Sequence, residues 1–160
     1  MPDDDALTPS AAASLSAREE GFLQALSRAV VFIPRVLEAD LGRVHGLSTS
    51  EFFALMHLSE APSGSLRMGD LAAQSALSLG AVTRVVKLLE GKGLVQRRRS
   101  AADGRGQDAI LTEAGLARLA LVRPAMVDSA RRRVFDKLAE LDGADLDACT
   151  AVLSCITQND

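Results

Sequence analysis

Apolar side chains recur at three- and four-residue steps along most of this chain, the spacing of one face of an α-helix. The first run, Phe22, Leu26, Val30, Ile33, Leu37 and Leu41, predicts a long helix over roughly residues 16–42. Ser16 and Glu19 stand at the spacing of a capping box at its start. Pro34 removes one backbone donor and predicts a bend, while Gly42 and Gly46 loosen the end. A second capping box, Ser48 with Glu51, opens a helix carrying Phe52, Leu55, Met56 and Leu58, which stops before Ala61-Pro62-Ser63-Gly64. Ser65-Leu66-Arg67 can form a one-bond strand, and a short helix over about Gly69 to Gln74 points Leu71 and Ala72 inward. After a break at Ser75-Ala76-Leu77, Ser78 is placed to cap a helix that runs through Glu90. Val82, Val85, Val86 and Leu89 fall on its inner face, and Gly80, Ala81, Thr83, Arg84 and Lys87 on or near the outer one.

The period then changes. Gly91 and Gly93 supply an exit, and Leu94–Arg98 and Asp108–Leu111 flank turn residues Asp103-Gly104-Arg105-Gly106, which predicts a hairpin despite poor alternation. Thr112 caps a helix bearing Leu116, Leu119, Met126, Val127, Val134 and Leu138, bent at Pro124 and broken at Leu141-Asp142-Gly143. A last helix, about residues 144–157, sets Leu146, Cys149, Leu153 and Ile156 in a seam that wants a partner helix. Too few heptads exist for a coiled coil alone, so the seam is expected to join the first helix. Residues 1–13 are acidic, small and Pro-containing, and read as a disordered tail.

Composition narrows this picture. A chain of 160 residues is one domain, or one domain with an added dimerisation layer. It is 48% hydrophobic but only 3% aromatic, without Trp or Tyr, so its core must be aliphatic. No apolar run reaches the roughly 20 residues of a membrane span, and residues 1–20 lack a signal-peptide pattern. The expected location is cytoplasmic, with no membrane partner. Cys149 and Cys155 meet neither disulfide nor metal spacing. They read as packing residues, with a redox role or an intermolecular bridge as the alternative. No catalytic elbow, phosphate loop, dinucleotide fingerprint or metal cluster occurs, which points away from an enzyme and from any cofactor.

Charge changes it more. The formal net charge is −3, yet Ser78 to Thr112 holds seven basic side chains against three acidic ones. A local positive field on an acidic protein suits a groove-reading helix with a charged hairpin beside it, the shape of a winged helix-turn-helix. Ser78, Gly80 and Ala81 give the clearance a helix needs to enter the major groove. Ser78 and Thr83 can donate to phosphates or bases. Arg84 matches the guanine O6/N7 pair, and Lys87 suits a phosphate. Arg97, Arg98 and Arg99 alternate along the wing strand; one or two should face phosphate while another packs its stem over the domain. Arg105, at a Gly-flanked tip, can reach a narrow minor groove. Asp103 either braces that tip, as an Asx-turn or ion-pair partner, or is a bare turn former.

In order and spacing, the strings GLSTSEFFALMHLSEAP (46–62), MGDLAAQSALSLGAVTRVVKLLEGKGLV (68–95) and RRRSAADGRGQDAILTEAG (97–115) resemble the MarR family of winged-helix transcription factors. The resemblance covers roughly residues 20–157. Gly69 departs from it, standing where the family commonly puts a stronger N-cap. The resemblance implies a mainly α fold with a small β-hairpin wing: a winged helix-turn-helix with N- and C-terminal dimerisation helices. Its parts would be an N-terminal dimerisation helix (14–45), the DNA-binding domain (46–112) and C-terminal helices completing the dimerisation layer (113–160). It further implies a homodimer on double-stranded DNA with a pseudo-palindromic site, and repression released by a small anionic or phenolic effector. Arg35, His57 and Arg123 would border the effector cleft, against the plainer readings of a boundary histidine and two solvated or paired arginines. The family's peroxide sensors carry a reactive Cys in the N-terminal helix, so that mechanism does not transfer. Arg131-Arg132-Arg133 reads as a solvated face or as a dock for the Asp3-Asp4-Asp5 tail. The competing function is an architectural or protein-interaction module without an effector.

Overall fold

The computed structural model describes residues 14–100, 106–141 and 145–157. Helix α1 (Ala17–His45) begins on the Ser16/Glu19 capping box. The Ser16 hydroxyl (2.6 Å) and N–H (2.7 Å) both donate to Glu19, holding its carboxyl below the ordinary range. The helix passes through Pro34 unbroken and outruns its expected end. Gly46 takes a left-handed φ of 61° and donates to the Gly42 carbonyl at 3.2 Å, so it closes the helix instead of loosening it. Helix α2 (Thr49–Glu60) opens on the second capping box, with Ser48 N–H donating to Glu51 Oε2 at 2.7 Å.

Strand β1 (Ser65–Arg67) joins β2 (Val95–Arg99) and β3 (Gln107–Leu111) in an antiparallel sheet of order β1-β3-β2. Arg67 and Arg98 both stand opposite Asp108, one on each side of the central strand. Helix α3 (Met68–Gln74) starts one residue before the expected position, so Gly69 lies inside the first turn. The N-cap is Arg67, which makes no side-chain cap bond. The turn into α4 (Leu79–Gly91) places Ala76 at φ 50°, a left-handed conformation in which its Cβ crowds the following carbonyl.

Helix α5 (Glu113–Ala130) is anchored by Thr112, whose hydroxyl accepts from Gly115 N–H (3.0 Å) and donates to the Gly93 carbonyl (2.9 Å). A Cβ on Gly115 would stand 2.1 Å from the Leu94 carbonyl oxygen, so only glycine lets α5 seat on the start of the wing. The expected single helix through Leu138 gives way to a π-turn at Arg131–Phe135, beyond Pro124, then α6 (Asp136–Ala139) and α7 (Leu146–Thr157).

One aliphatic core joins α2–α5, the sheet and the C-terminal half of α1 through Leu41, Leu55, Leu71, Val86, Val95 and Val122. Two residues of the α5 stripe fall outside it: Leu116 and Val127 are exposed, and Val122 takes the inward place. The N-terminal half of α1 buries no side chain, and every described α7 residue is exposed. Helix α7 does face α1 across an apolar groove of about 400 Å³ that Phe22, Leu26, Cys149 and Leu153 border. The seam is therefore opposite its expected partner but unsealed.

Candidate nucleic-acid interface

The orientation of α4 is set from inside. Val82, Val86 and Leu89 are all but completely buried, which fixes the helix rotation and turns Gly80, Thr83, Arg84 and Lys87 to solvent. Ser78 caps the helix by accepting from Ala81 N–H (3.2 Å), and Ala81 is half-buried beneath it. A Cβ on Gly80 would meet nothing among the described residues within 4 Å. Its bareness leaves clearance for something outside the protein. Thr83 departs from the sequence reading: its hydroxyl donates to the Leu79 carbonyl at 2.7 Å, so its proton is not offered to a phosphate or base. Leu79, which the sequence reading passed over, is 56% exposed at the first helical position. Its place between the cap and the first inward valine was the signal.

The three wing arginines divide. Arg97 donates to Glu90 Oε2 through Nη2 (2.6 Å) and Nε (2.9 Å), bracing β2 against α4 and holding the Glu90 carboxyl below its ordinary range. Arg98 and Arg99 are exposed. Lys92 turns inward as well, donating to buried Glu51 (2.6 Å) and to the Gly46 carbonyl (3.0 Å). Two cations of the basic stretch thus have structural partners, and Arg84, Lys87, Arg98 and Arg99 remain on the surface. Arg67 adds an exposed cation at the wing base, reaching Ser100 Oγ at 3.4 Å. Only the strand register brings it there. A groove of about 400 Å³ opens between this base, the first turn of α3 with Asp70, and α4 with Leu79 and Thr83. Asp103 and Arg105 lie outside the described residues, as does the acidic tail.

The three proposed effector contacts do not converge. Arg35 and His57 border one cleft of about 600 Å³ between α1, α2 and the α3–α4 turn, with Phe53, Met56 and Leu77. Arg123 lies apart, in a cavity of about 540 Å³ between Ser59 of α2 and α5. Thr49 Oγ1 and Ser75 Oγ, both from residues at the first cleft, are buried without a hydrogen-bond partner among the described residues. Arg133 of the late basic run pairs with Asp40 at 3.3 Å, beside a 2.6 Å bond from Ser129 Oγ to the same carboxylate. Both cysteines are free and exposed within the chain, against the expectation of packing. Among the described residues no group of side chains could hold a metal ion, and no helix is long and apolar enough to cross a membrane.

Comparison with known proteins agrees with this architecture. A sequence profile of the MarR family matches residues 45–106. Sco3205, a MarR family transcriptional regulator from Streptomyces coelicolor solved in complex with DNA, is similar with a TM-score of 0.81 and 29% identity, over 89% of this chain and 91% of that one. AbsC, a MarR family transcriptional regulator from the same organism, gives a TM-score of 0.78 and 30% identity over 89% of this chain and 94% of its own. The HTH-type transcriptional repressor Rv2887 of Mycobacterium tuberculosis is 37% identical over 93 residues. That match takes in 58% of this chain and 65% of the repressor, slightly under two thirds of its length.

Proposed function

The chain belongs to the MarR family, and from that premise we propose that it is a homodimeric, cytoplasmic repressor that reads a pseudo-palindromic operator and is released by a small anionic or phenolic ligand. One observation carries the reading. The outer side of α4 is a crest of Gly80, Arg84 and Lys87 whose orientation is locked by fully buried valines and leucine, and exposed Arg98 and Arg99 stand beside it. Such a helix enters the major groove while the flanking cations hold phosphates. Arg84 takes a guanine, and Lys87, Ser78, Arg98 and Arg99 position the backbone. Arg97 contributes through Glu90. Arg105 reaches the minor groove with Asp103 shaping the tip. The unsealed apolar surface of α1 and α7 supports pairing of two chains, which sets half-site centres about 10–10.5 bp apart.

The cleft at Arg35 and His57 supports the effector role. It combines an apolar wall, Arg35 and His57, the Glu38 carboxylate already held by the Thr49 N–H, and two hydroxyl oxygens without a partner among the described residues, and one of its walls is the α3–α4 turn itself. An occupant there moves α4 relative to α2. The deciding experiment selects duplexes from a random library with the full-length protein, then measures affinity at stated salt for Arg84→Ala. The variant should lose about 5- to 100-fold on the selected duplex and far less on random DNA. Equal loss on both removes the base-reading role. A hydroxybenzoate that weakens operator binding of the wild type but not of Arg35→Ala supports the cleft.

A further inference from the structure

The first turn of α4 offers a base edge very little hydrogen bonding. Gly80 has no side chain, Ala81 is apolar and half-buried, and the Thr83 proton is held by the Leu79 carbonyl. Ser78 Oγ already accepts from the Ala81 N–H. What stands out instead is Leu79. At 56% exposure it leaves a large apolar side chain in water at the entering end of the helix; Leu88, 52% exposed, lies toward the other end, more than two turns away. No described residue of the chain closes over it. At about 100° per residue, Leu79 and Thr83 share the flank of α4 that faces the wing, next to the Gly80, Arg84 and Lys87 crest. They line a groove that Arg67, Gly106 and Gln107 border from the wing and Gly69 and Asp70 from the start of α3.

A leucine at the entering end of such a helix has one good partner in the major groove. Thymine alone among the four bases presents a methyl group there, at C5, and cytosine presents a hydrogen at the same place. We propose that Leu79 is a specificity-determining residue that selects thymine by packing on this methyl, beside the guanine read by Arg84, with Gly80 giving the backbone room to bring it close. The selection rests on the DNA-reading role proposed above, and it adds what that role leaves open: which base the apolar first turn prefers. Arg84 contributes a polar choice and Leu79 an apolar one, on neighbouring base pairs of each half-site.

The test uses the full-length protein and the duplex it enriches from a random library. Each thymine is replaced in turn by deoxyuridine, which removes the methyl and keeps every hydrogen-bonding group. One position per half-site should lose about fourfold in affinity, the worth of one buried methyl-sized group. Leu79→Ala, a change at an exposed helical position, should weaken binding to the thymine duplex and bind thymine and uracil duplexes alike. Putting 5-methylcytosine, with its paired guanine, at that position should recover part of the wild-type affinity lost with unmodified cytosine. If wild type binds every uracil duplex as well as its thymine parent, or if Leu79→Ala keeps the discrimination, the inference is overturned while sequence-specific binding stands. If no duplex is enriched, the DNA-reading role fails and this inference falls with it.

Discussion

The winged lobe and the terminal helices are made of the same aliphatic side chains and reach opposite states. In the lobe, α4 hides Val82, Val86 and Leu89 almost completely and turns its charges outward. In the terminal layer, α7 leaves Val152 46%, Leu153 50% and Ile156 54% exposed, and α1 leaves Phe22 52% exposed. Each such side chain, about half exposed, forgoes roughly half of the ~1.5–3 kcal/mol that full burial gives. The lobe thus buries most of its apolar surface within one chain, while the terminal layer leaves its own open. The proposed pairing of two chains rests on that second region.

Two substitutions to aspartate break this comparison most strongly. Val86→Asp puts an unpaired carboxylate into a site of 0% exposure and should abolish cooperative unfolding altogether. Leu153→Asp should leave the helical circular-dichroism signal and the lobe intact yet yield a monomer in light scattering, with operator affinity down at least 100-fold. A Leu153→Asp protein that stays dimeric and binds fully would show that the α7 seam is not the associating surface.

Ion pairs sharpen the contrast at smaller scale. Glu51 is 4% exposed at its side chain and caps α2 while holding Lys92 at 2.6 Å. Lys92→Met strands that carboxylate and should cost about 1–3 kcal/mol in denaturant unfolding. Lys137 and Glu140, in the terminal layer, sit at 69% and 67% exposure and 3.4 Å apart. Lys137→Ala should change stability by less than about 0.5 kcal/mol. Similar costs for both would mean that burial is not what separates the two regions. A gain is expected at the helix-turn-helix turn. Ala76→Gly relieves a Cβ at φ 50° and should stabilise the lobe by about 0.5–1 kcal/mol, seen as a higher melting temperature.

The two regions also differ in how much of them could be read from residues alone. Capping boxes at Ser16 and Ser48, the cap at Thr112 and the inward valines of α4 are local patterns, and each stands where its spacing placed it. The partners of Arg97 and Lys92 depend on distances across the fold, so seven basic residues looked like one field until Glu90 and Glu51 took two of them. Arg35 and Arg123 appeared equivalent because both are helical arginines; the separate cavities follow from helix packing that no spacing encodes. Leu79 was invisible for another reason. An apolar residue inside an amphipathic helix is counted as core unless its angular position is checked.

The smallest expected effect lies where the two regions meet. Asp40 of α1 accepts from buried Ser129 of α5 at 2.6 Å and from Arg133 in the π-turn at 3.3 Å. The Ser129 hydrogen bond first, and Arg133 after it, hold the Asp40 carboxyl below its ordinary range. A carboxylate whose native pKa is depressed adds stability above its unfolded value, near 4, and that stability is lost as pH falls through the native value. Melting temperatures of wild type and Asp40→Asn should therefore differ near neutral pH, begin to converge as the pH drops below about 4, and meet only below the depressed native value. A constant offset across that window would mean that the contact acts through packing, and that the joint between lobe and terminal layer is not electrostatic.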